Sequence, residues 1–153
     1  MPILILPYEG IDNARLGMAR DDIRRAIQAN VKPYKKGSTE ADLFVGTSIH
    51  AYYDPQNYCK AFEIYFPASV DLFGNEFLGR PFRDGLNILR SLDEEVQTSS
   101  SGARSLKFGV SLYAPCADDS PEDPVEGILV FGRDYWKDVV MNPLLRRSSH
   151  GKR

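Results

Sequence analysis

The longest acidic stretch in the chain lies between Asp118 and Glu126, where Asp118, Asp119, Glu122, Asp123 and Glu126 are interleaved with Ser120, Pro121, Pro124 and Val125. The two prolines stiffen the segment and do not favour helix. Three chemistries suit such a run. Calcium binding needs oxygen ligands at Asp-x-Asp-x-Asp-Gly spacing, which this segment lacks. A solvated hairpin loop needs nothing more. A basic protein partner would be steered in by the field and held by charge-assisted hydrogen bonds from its Arg and Lys side chains. Asp93, Glu94 and Glu95 would extend the same negative patch if the fold brings them to the same end of a sheet.

Groups suited to catalysis are few. The chain has two histidines, His50 in a strand-like run and His150 near the end. No HExxH, CxxC or other metal-ligand spacing is present, and no cofactor is expected. Gly-x-Ser-x-Gly, Gly-x-x-x-x-Gly-Lys and Gly-x-Gly-x-x-Gly are all missing. A Ser or Cys nucleophile would need His50 as its base, and no carboxylate is placed behind it by spacing. Cys59 reads as a small core residue and Cys116, after Pro115, as a loop thiol with no cation beside it to lower its pKa. Glu63 sits among apolar residues. It is either part of a solvated sheet face or a general acid. Tyr52, Tyr53, Tyr58 and Tyr65 gather around the same stretch, as the rim of a core or as the lining of a ligand pocket with Phe62 and Glu63.

Charge is distributed unevenly along the 153 residues. Residues 1–40 carry +2, residues 41–140 carry −8 and residues 141–153 carry +4. A nucleic-acid binder keeps its basic stripe on the folded body. Here the body is acidic, which argues against direct nucleic-acid binding and for a cationic partner. No apolar run reaches the ~20 residues of a membrane span. Ile3–Leu6, between Pro2 and Pro7, is too short for a signal peptide's apolar region, so the expected address is the cytoplasm. The segment reads as an edge strand or an arm on the body.

Periodicity places the elements. Arg20 to Gln28 is predicted helical, with Ile23, Ala26 and Ile27 on one face and Asp21 and Asp22 in the first turn, where they suit the helix dipole. Lys32-Pro33 should end it. Leu43–Val45 is a short apolar strand. Ser48–Tyr53 and Cys59–Phe66 flank the turn sequence Asp54-Pro55-Gln56-Asn57, a β-hairpin signal. Pro81–Leu92 is a second helix with Phe82, Leu86, Leu89 and Leu92 as its stripe. Thr98–Gly102 reads as a flexible turn, and Leu106, Phe108, Val110 and Leu112 alternate along a strand. Val125–Phe131 is another strand, and Tyr135–Met141 is a last strand or short terminal element. Residues 146–153 should be a disordered basic tail, leaving one domain over 1–145. Leu16-Gly17-Met18 opens the first helix and Leu78-Gly79-Arg80 the second, 62 positions later. Each is followed by an isolated strand and a hairpin-like pair. The expected fold is therefore α+β, an antiparallel sheet with two helices on one face, arranged as a tandem αβββ repeat over 14–77 and 78–141.

Ala14 to Ile27, with Leu16-Gly17-Met18 ahead of the helix, resembles the opening of small αβββ modules of outer-membrane assembly lipoproteins and, in tandem, of the β-lactamase inhibitory protein. Ala19 stands where those modules carry a capping Ser or Thr. The longer pattern resembles small immunity proteins encoded beside bacterial polymorphic or contact-dependent toxins. It runs through Asp42-Leu43-Phe44, Ile49 to Asp54, Phe62-Glu63-Ile64, Phe77-Leu78-Gly79 and Phe108 to Tyr113. The resemblance implies a non-catalytic cytoplasmic protein that binds and neutralises one cognate toxin domain. A nuclease toxin would offer a cationic groove to Asp118, Asp119, Glu122, Asp123 and Glu126, with Asp93, Glu94 and Glu95 beside them. The alternative is a small-ligand-binding or enzymatic α+β domain that uses the Tyr-rich hairpin as a pocket.

Overall fold

Alternating apolar residues, read against the pairing register, build one face of a long antiparallel sheet. The computed structural model describes residues 1–135. In chain order it holds β1 (Ile3–Leu6), β2 (Gly10–Ile11), β3 (Ala14–Arg15), α1 (Arg20–Ile27), β4 (Val31–Lys36), β5 (Thr39–Phe44), β6 (Ile49–Tyr53) and β7 (Cys59–Tyr65). Then follow β8 (Val70–Asp71), α2 (Phe82–Leu92), β9 (Gln97–Ser99), β10 (Gly102–Ser105), β11 (Val110–Tyr113) and β12 (Gly127–Phe131). The main sheet runs β4-β5-β6-β7-β12-β11-β10-β9, and a smaller one runs β3-β2-β1-β8. The fold is α+β. Register puts Phe44, Ile49, Ala51, Phe62, Ile64, Ile128, Val130, Val110, Leu112 and Ala103 on one face of the main sheet, and all are buried. Ile23 of α1 and Leu89 of α2 join that same core.

The two halves are built alike. Each helix is followed by four strands of the main sheet, not the three expected, with β8 of the smaller sheet added after the first four, and β7 and β12 meet antiparallel at the centre. The Gly17 N–H donates to the Cys59 carbonyl at 2.8 Å and the Gly79 N–H to the Val125 carbonyl at 2.9 Å. Cys59 and Val125 return the bond to the carbonyls of Met18 and Arg80, both at 2.8 Å. Gly17 and Gly79 share φ values of +90° and +83°, where a side chain would strain the backbone. The pairing of each helix start repeats too: Arg20 N–H to Asn57 carbonyl, Phe82 N–H to Asp123 carbonyl. The two openings placed 62 residues apart by the sequence thus make the same bonds.

Several expectations are corrected. Lys32-Pro33 does not end α1: the helix stops at Ile27 with Gln28 in a left-handed cap, and Pro33 lies inside β4, an edge strand, where a missing N–H costs no ladder bond. Ile3–Leu6 is not an edge: β1 pairs with β2 on one side and, in parallel, with β8 on the other. The Thr98–Gly102 turn contributes residues to β9 and β10. The strand expected through Leu106 and Phe108 starts only at Val110, since residues 106–109 form the β10–β11 turn. Tyr135 falls in a turn, and the expectations for 136–141 and for the 146–153 tail lie outside the described residues.

Candidate partner-binding surface

The loop that joins β11 to β12 holds the five carboxylates, and its backbone serves the second helix. α2 has no side-chain cap. Its first N–H groups are met instead by the loop: Phe82 donates to the Asp123 carbonyl at 2.8 Å and Arg83 to the Pro121 carbonyl at 2.9 Å. Asp118 N–H donates to the Ser100 carbonyl at 3.2 Å and Asp123 N–H to the Ser120 carbonyl at 2.9 Å. With its main chain held this way, the loop turns all five carboxylates outward; Asp118, Asp119, Glu122, Asp123 and Glu126 are exposed. Glu122 pairs with Arg83. Glu126 lies between two exposed rings. Its N–H donates to the Tyr113 carbonyl at 2.8 Å, and its carbonyl accepts from the Phe66 N–H at 2.9 Å. Phe66 is 60% and Tyr113 40% exposed.

Asp93, Glu94 and Glu95 do not extend this patch. They follow α2, whereas the loop caps its start, so the helix's 11 residues, ~16 Å at 1.5 Å per residue, lie between them. Asp93 is also buried. One oxygen accepts from the Ser105 hydroxyl at 2.7 Å and the other from the Glu95 N–H at 2.9 Å, so it is a structural group. Glu94 and Glu95 remain exposed.

The Tyr-rich hairpin is split by its own alternation. Tyr52, Glu63 and Tyr65 face outward from the helices, Tyr53 and Phe62 face the core, and Tyr58 sits in the turn. Tyr52, Phe62 and Glu63 therefore do not line one concavity. On the outer face the Tyr52 hydroxyl donates to Glu63 at 2.6 Å, and the Lys36 ammonium lies 3.5 Å from the same carboxylate. Burial and the neighbouring Glu63 carboxylate push the Tyr52 hydroxyl far up. Tyr34 meets His50 Nδ1 at 2.6 Å, and the His50 ring stands edge-on to Tyr65. Burial lowers the His50 pKa, which favours the neutral ring that shares the Nδ1 hydrogen bond with Tyr34.

Sequence reasoning missed a buried ion cluster. Asp42 is fully buried, and three groups converge on it: Arg20 at 2.8 Å, Arg24 in a two-pronged contact at 2.8 and 2.9 Å, and the Tyr53 hydroxyl at 2.9 Å. Burial alone would raise its pKa, but these donors more than reverse that and hold it at about 2. Arg20 also lies over the Tyr53 ring, 4.7 Å from its centre. The signal for it is Asp42 alternating with apolar residues on a strand, together with two arginines four apart on a helix. A groove of about 480 Å³ runs past Arg20, Arg24, Asn57 and Tyr58, and one of about 780 Å³ lies between β1 and the end of α1. Among the described residues no group of three or more His, Cys, Asp or Glu could hold a metal ion, and no helix is long and apolar enough to cross a membrane.

The fold and these surfaces define a class, an α+β protein of two like halves with carboxylates on a backbone-tethered loop. Compared with protein-family models, curated proteins and solved structures, the chain finds no match in any of the three.

Proposed function

We propose that this chain is a non-catalytic binding protein that neutralises a cognate bacterial toxin domain, meeting a basic surface such as a nuclease groove with the carboxylates of the β11–β12 loop. One observation carries the reading: the loop's main chain is committed to α2 and to Ser100 while its five carboxylates point to solvent. Such a surface is preformed, so little ordering entropy is lost on binding. Phe66 and Tyr113 beside Glu126 supply aromatic contact of the kind enriched at the centres of protein interfaces.

The test is co-expression with the toxin domain encoded beside this chain. Growth should be rescued, and the purified pair should bind with an affinity that falls steeply as salt rises. Changing Asp118, Asp119 and Asp123 to Asn and Glu122 and Glu126 to Gln together should abolish rescue and flatten the salt dependence. Full rescue by this variant, with the salt dependence unchanged, removes the loop from the interface. Failure of the unaltered chain to rescue removes the function.

A further inference from the structure

The main sheet ends on β4 at one side and on β9 at the other, and the two edges are finished differently. Two rows of paired residues run outward from the central β7–β12 pair. One passes through Phe62, Ala51 and Asp42 to Pro33, the other through Ile128, Leu112 and Ala103 to Thr98. Pro33 and Thr98 therefore hold the same place in their two halves.

Both positions turn their backbone away from the sheet. Val45 N–H donates to the Asn30 carbonyl at 2.8 Å, so Asn30, Lys32, Tyr34 and Lys36 bond toward β5 and the residues between them face the open side. Ala114 N–H donates to the Ser101 carbonyl at 2.9 Å, so Ala103 bonds toward β11. Gly102 and Arg104 then bond toward Ser99 and Gln97, which leaves Thr98 facing the open side. In β4 that side is closed to pairing: Pro33 has no N–H to offer, and Lys32, Lys35 and Lys36 line the strand. In β9 the same position offers both backbone groups. Thr98 is exposed, and neither proline nor charge stands among Gln97, Thr98 and Ser99. Among the described residues no strand lies beyond β9.

Both ends of this open edge are acidic. Glu94 and Glu95 are exposed just before β9. Just after it the Ser100 carbonyl accepts the Asp118 N–H at 3.2 Å, which brings the exposed Asp118 and Asp119 to the other end. The strand thus links the two carboxylate groups that α2 holds apart. Arg104, one strand inward, is bonded to the Gln97 side chain at 2.7 and 3.0 Å.

We propose that β9 takes up an extended segment of a protein partner as the ninth strand of the main sheet, a segment with Lys or Arg at both ends whose main chain exchanges hydrogen bonds with Thr98. The inference rests on the reading that the carboxylate loop meets a basic partner, and it names how that partner is held. Main-chain pairing sets the register, and the flanking carboxylates choose the charge. A second copy of this chain does not fit the edge. Parallel or antiparallel, it would set Glu94, Glu95, Asp118 and Asp119 against the same groups of its twin.

The probe is a synthetic nonapeptide, Arg-Arg-Val-Thr-Val-Thr-Val-Arg-Arg, titrated at low salt against the full chain. Before it is added, the Thr98 amide should exchange with solvent far faster than those of Gln97 and Ser99; with peptide bound it should be protected. Affinity should fall about ten-fold for Thr98→Pro, the scale of one lost backbone hydrogen bond. This variant installs the residue that β4 already carries and should melt with the parent, since the N–H it removes lies outside the ladder. The same peptide N-methylated at its five central residues keeps every charge, leaves the chain untouched and should bind at least ten-fold more weakly. No binding of the arginine peptide, equal binding of its N-methylated form, slow exchange at Thr98 in the free chain, or a Thr98-dependent dimer in sedimentation would overturn the proposal. The five-fold carboxylate variant separates it from the loop. Binding weakened by that variant but not by Thr98→Pro overturns the added strand and keeps the loop; binding weakened by Thr98→Pro alone keeps the strand and removes the loop.

Discussion

Asp42 and Ala103 occupy the same place in the two halves of the sheet. Asp42 pairs with Ala51 on β6 and Ala103 with Leu112 on β11, and both side chains face the helix of their own half. The match extends outward. Counting from the shared bonds at Gly17 and Gly79, Arg20 answers to Phe82 and Arg24 to Leu86; along the strands Tyr53 answers to Ala114. The second half fastens its helix with Phe82, Ala103 and Ala114 of the apolar core and with Leu86, half-buried against it. The first half does the same job with two guanidinium groups around a buried carboxylate.

That equivalence makes the ion cluster testable against its own apolar counterpart. Asp42→Ala removes the carboxylate at the centre of the cluster and leaves Arg20 and Arg24 facing each other half-buried. Breaking a buried pair from one side costs about 3–5 kcal/mol. Replacing the whole set at once, with Arg20→Phe, Arg24→Leu, Asp42→Ala and Tyr53→Ala, installs the solution the second half already uses. It should recover most of the loss, because apolar replacement of a buried ion cluster is often neutral or stabilising. Urea unfolding of the two variants decides it. A fourfold variant no more stable than Asp42→Ala would mean the halves are not interchangeable at this position.

The cluster also sets a pH dependence. Asp42 is held at about 2 in the folded chain against 3.8 as its ordinary value. A depressed carboxylate contributes stability above its unfolded pKa, and that contribution disappears as pH falls from about 4 through about 2, some ~2 kcal/mol. Glu40, beside Arg20 and Lys35, is lowered too and adds to the same slope. His50 acts earlier. Its folded pKa lies below 6.5, chiefly from burial, so the unfolded chain takes up the proton first and stability declines as pH drops below about 6.5. Unfolding midpoints measured across pH should show both phases. His50→Gln should remove the phase that begins near pH 6.5 and leave the one between pH 4 and 2.

Much of the fold is legible in the order of residue types alone. Ile23 at helical spacing, the Pro81 start, the Asp54–Asn57 turn and the two Leu-Gly openings each state a local preference that the fold keeps. What stays hidden depends on pairing. β4 reads as a helix stop followed by lysines, because an edge strand with charge and a proline lacks apolar alternation. β9 and β10 are rich in Ser, Thr and Gly, the letters of a turn, and become strands only by pairing with β11. Leu106 and Phe108 continue the alternation of Val110 and Leu112 by chance, so periodicity extends that strand too far and assigns the exposed Leu106 and half-buried Phe108 to the core. Asp93 looks like surface because its partner Ser105 lies 12 residues away, on a strand that periodicity does not mark. The carboxylate loop is exposed, as its composition implies, but its tie to α2 runs through main-chain carbonyls, on which side-chain identity is silent.

The two thiols should differ sharply in reactivity. Cys59 is buried under α1's entry, and burial pushes its pKa up to about 12, so almost none is thiolate near neutral pH. Its Sγ also lies 3.5 Å from the Ala61 carbonyl, inside the fold. Cys116 is exposed in the β11–β12 loop. A disulfide reagent added to the native chain at neutral pH should therefore titrate one thiol quickly, and the second only after denaturant unfolds the first half. Cys116→Ser should abolish the fast reaction, and it changes neither the carboxylates of the loop nor the carbonyls of Pro121 and Asp123 that cap α2. Rapid titration of two thiols in the folded protein would mean that the Gly17–Cys59 junction opens readily, and with it the bond pattern that makes the two halves alike.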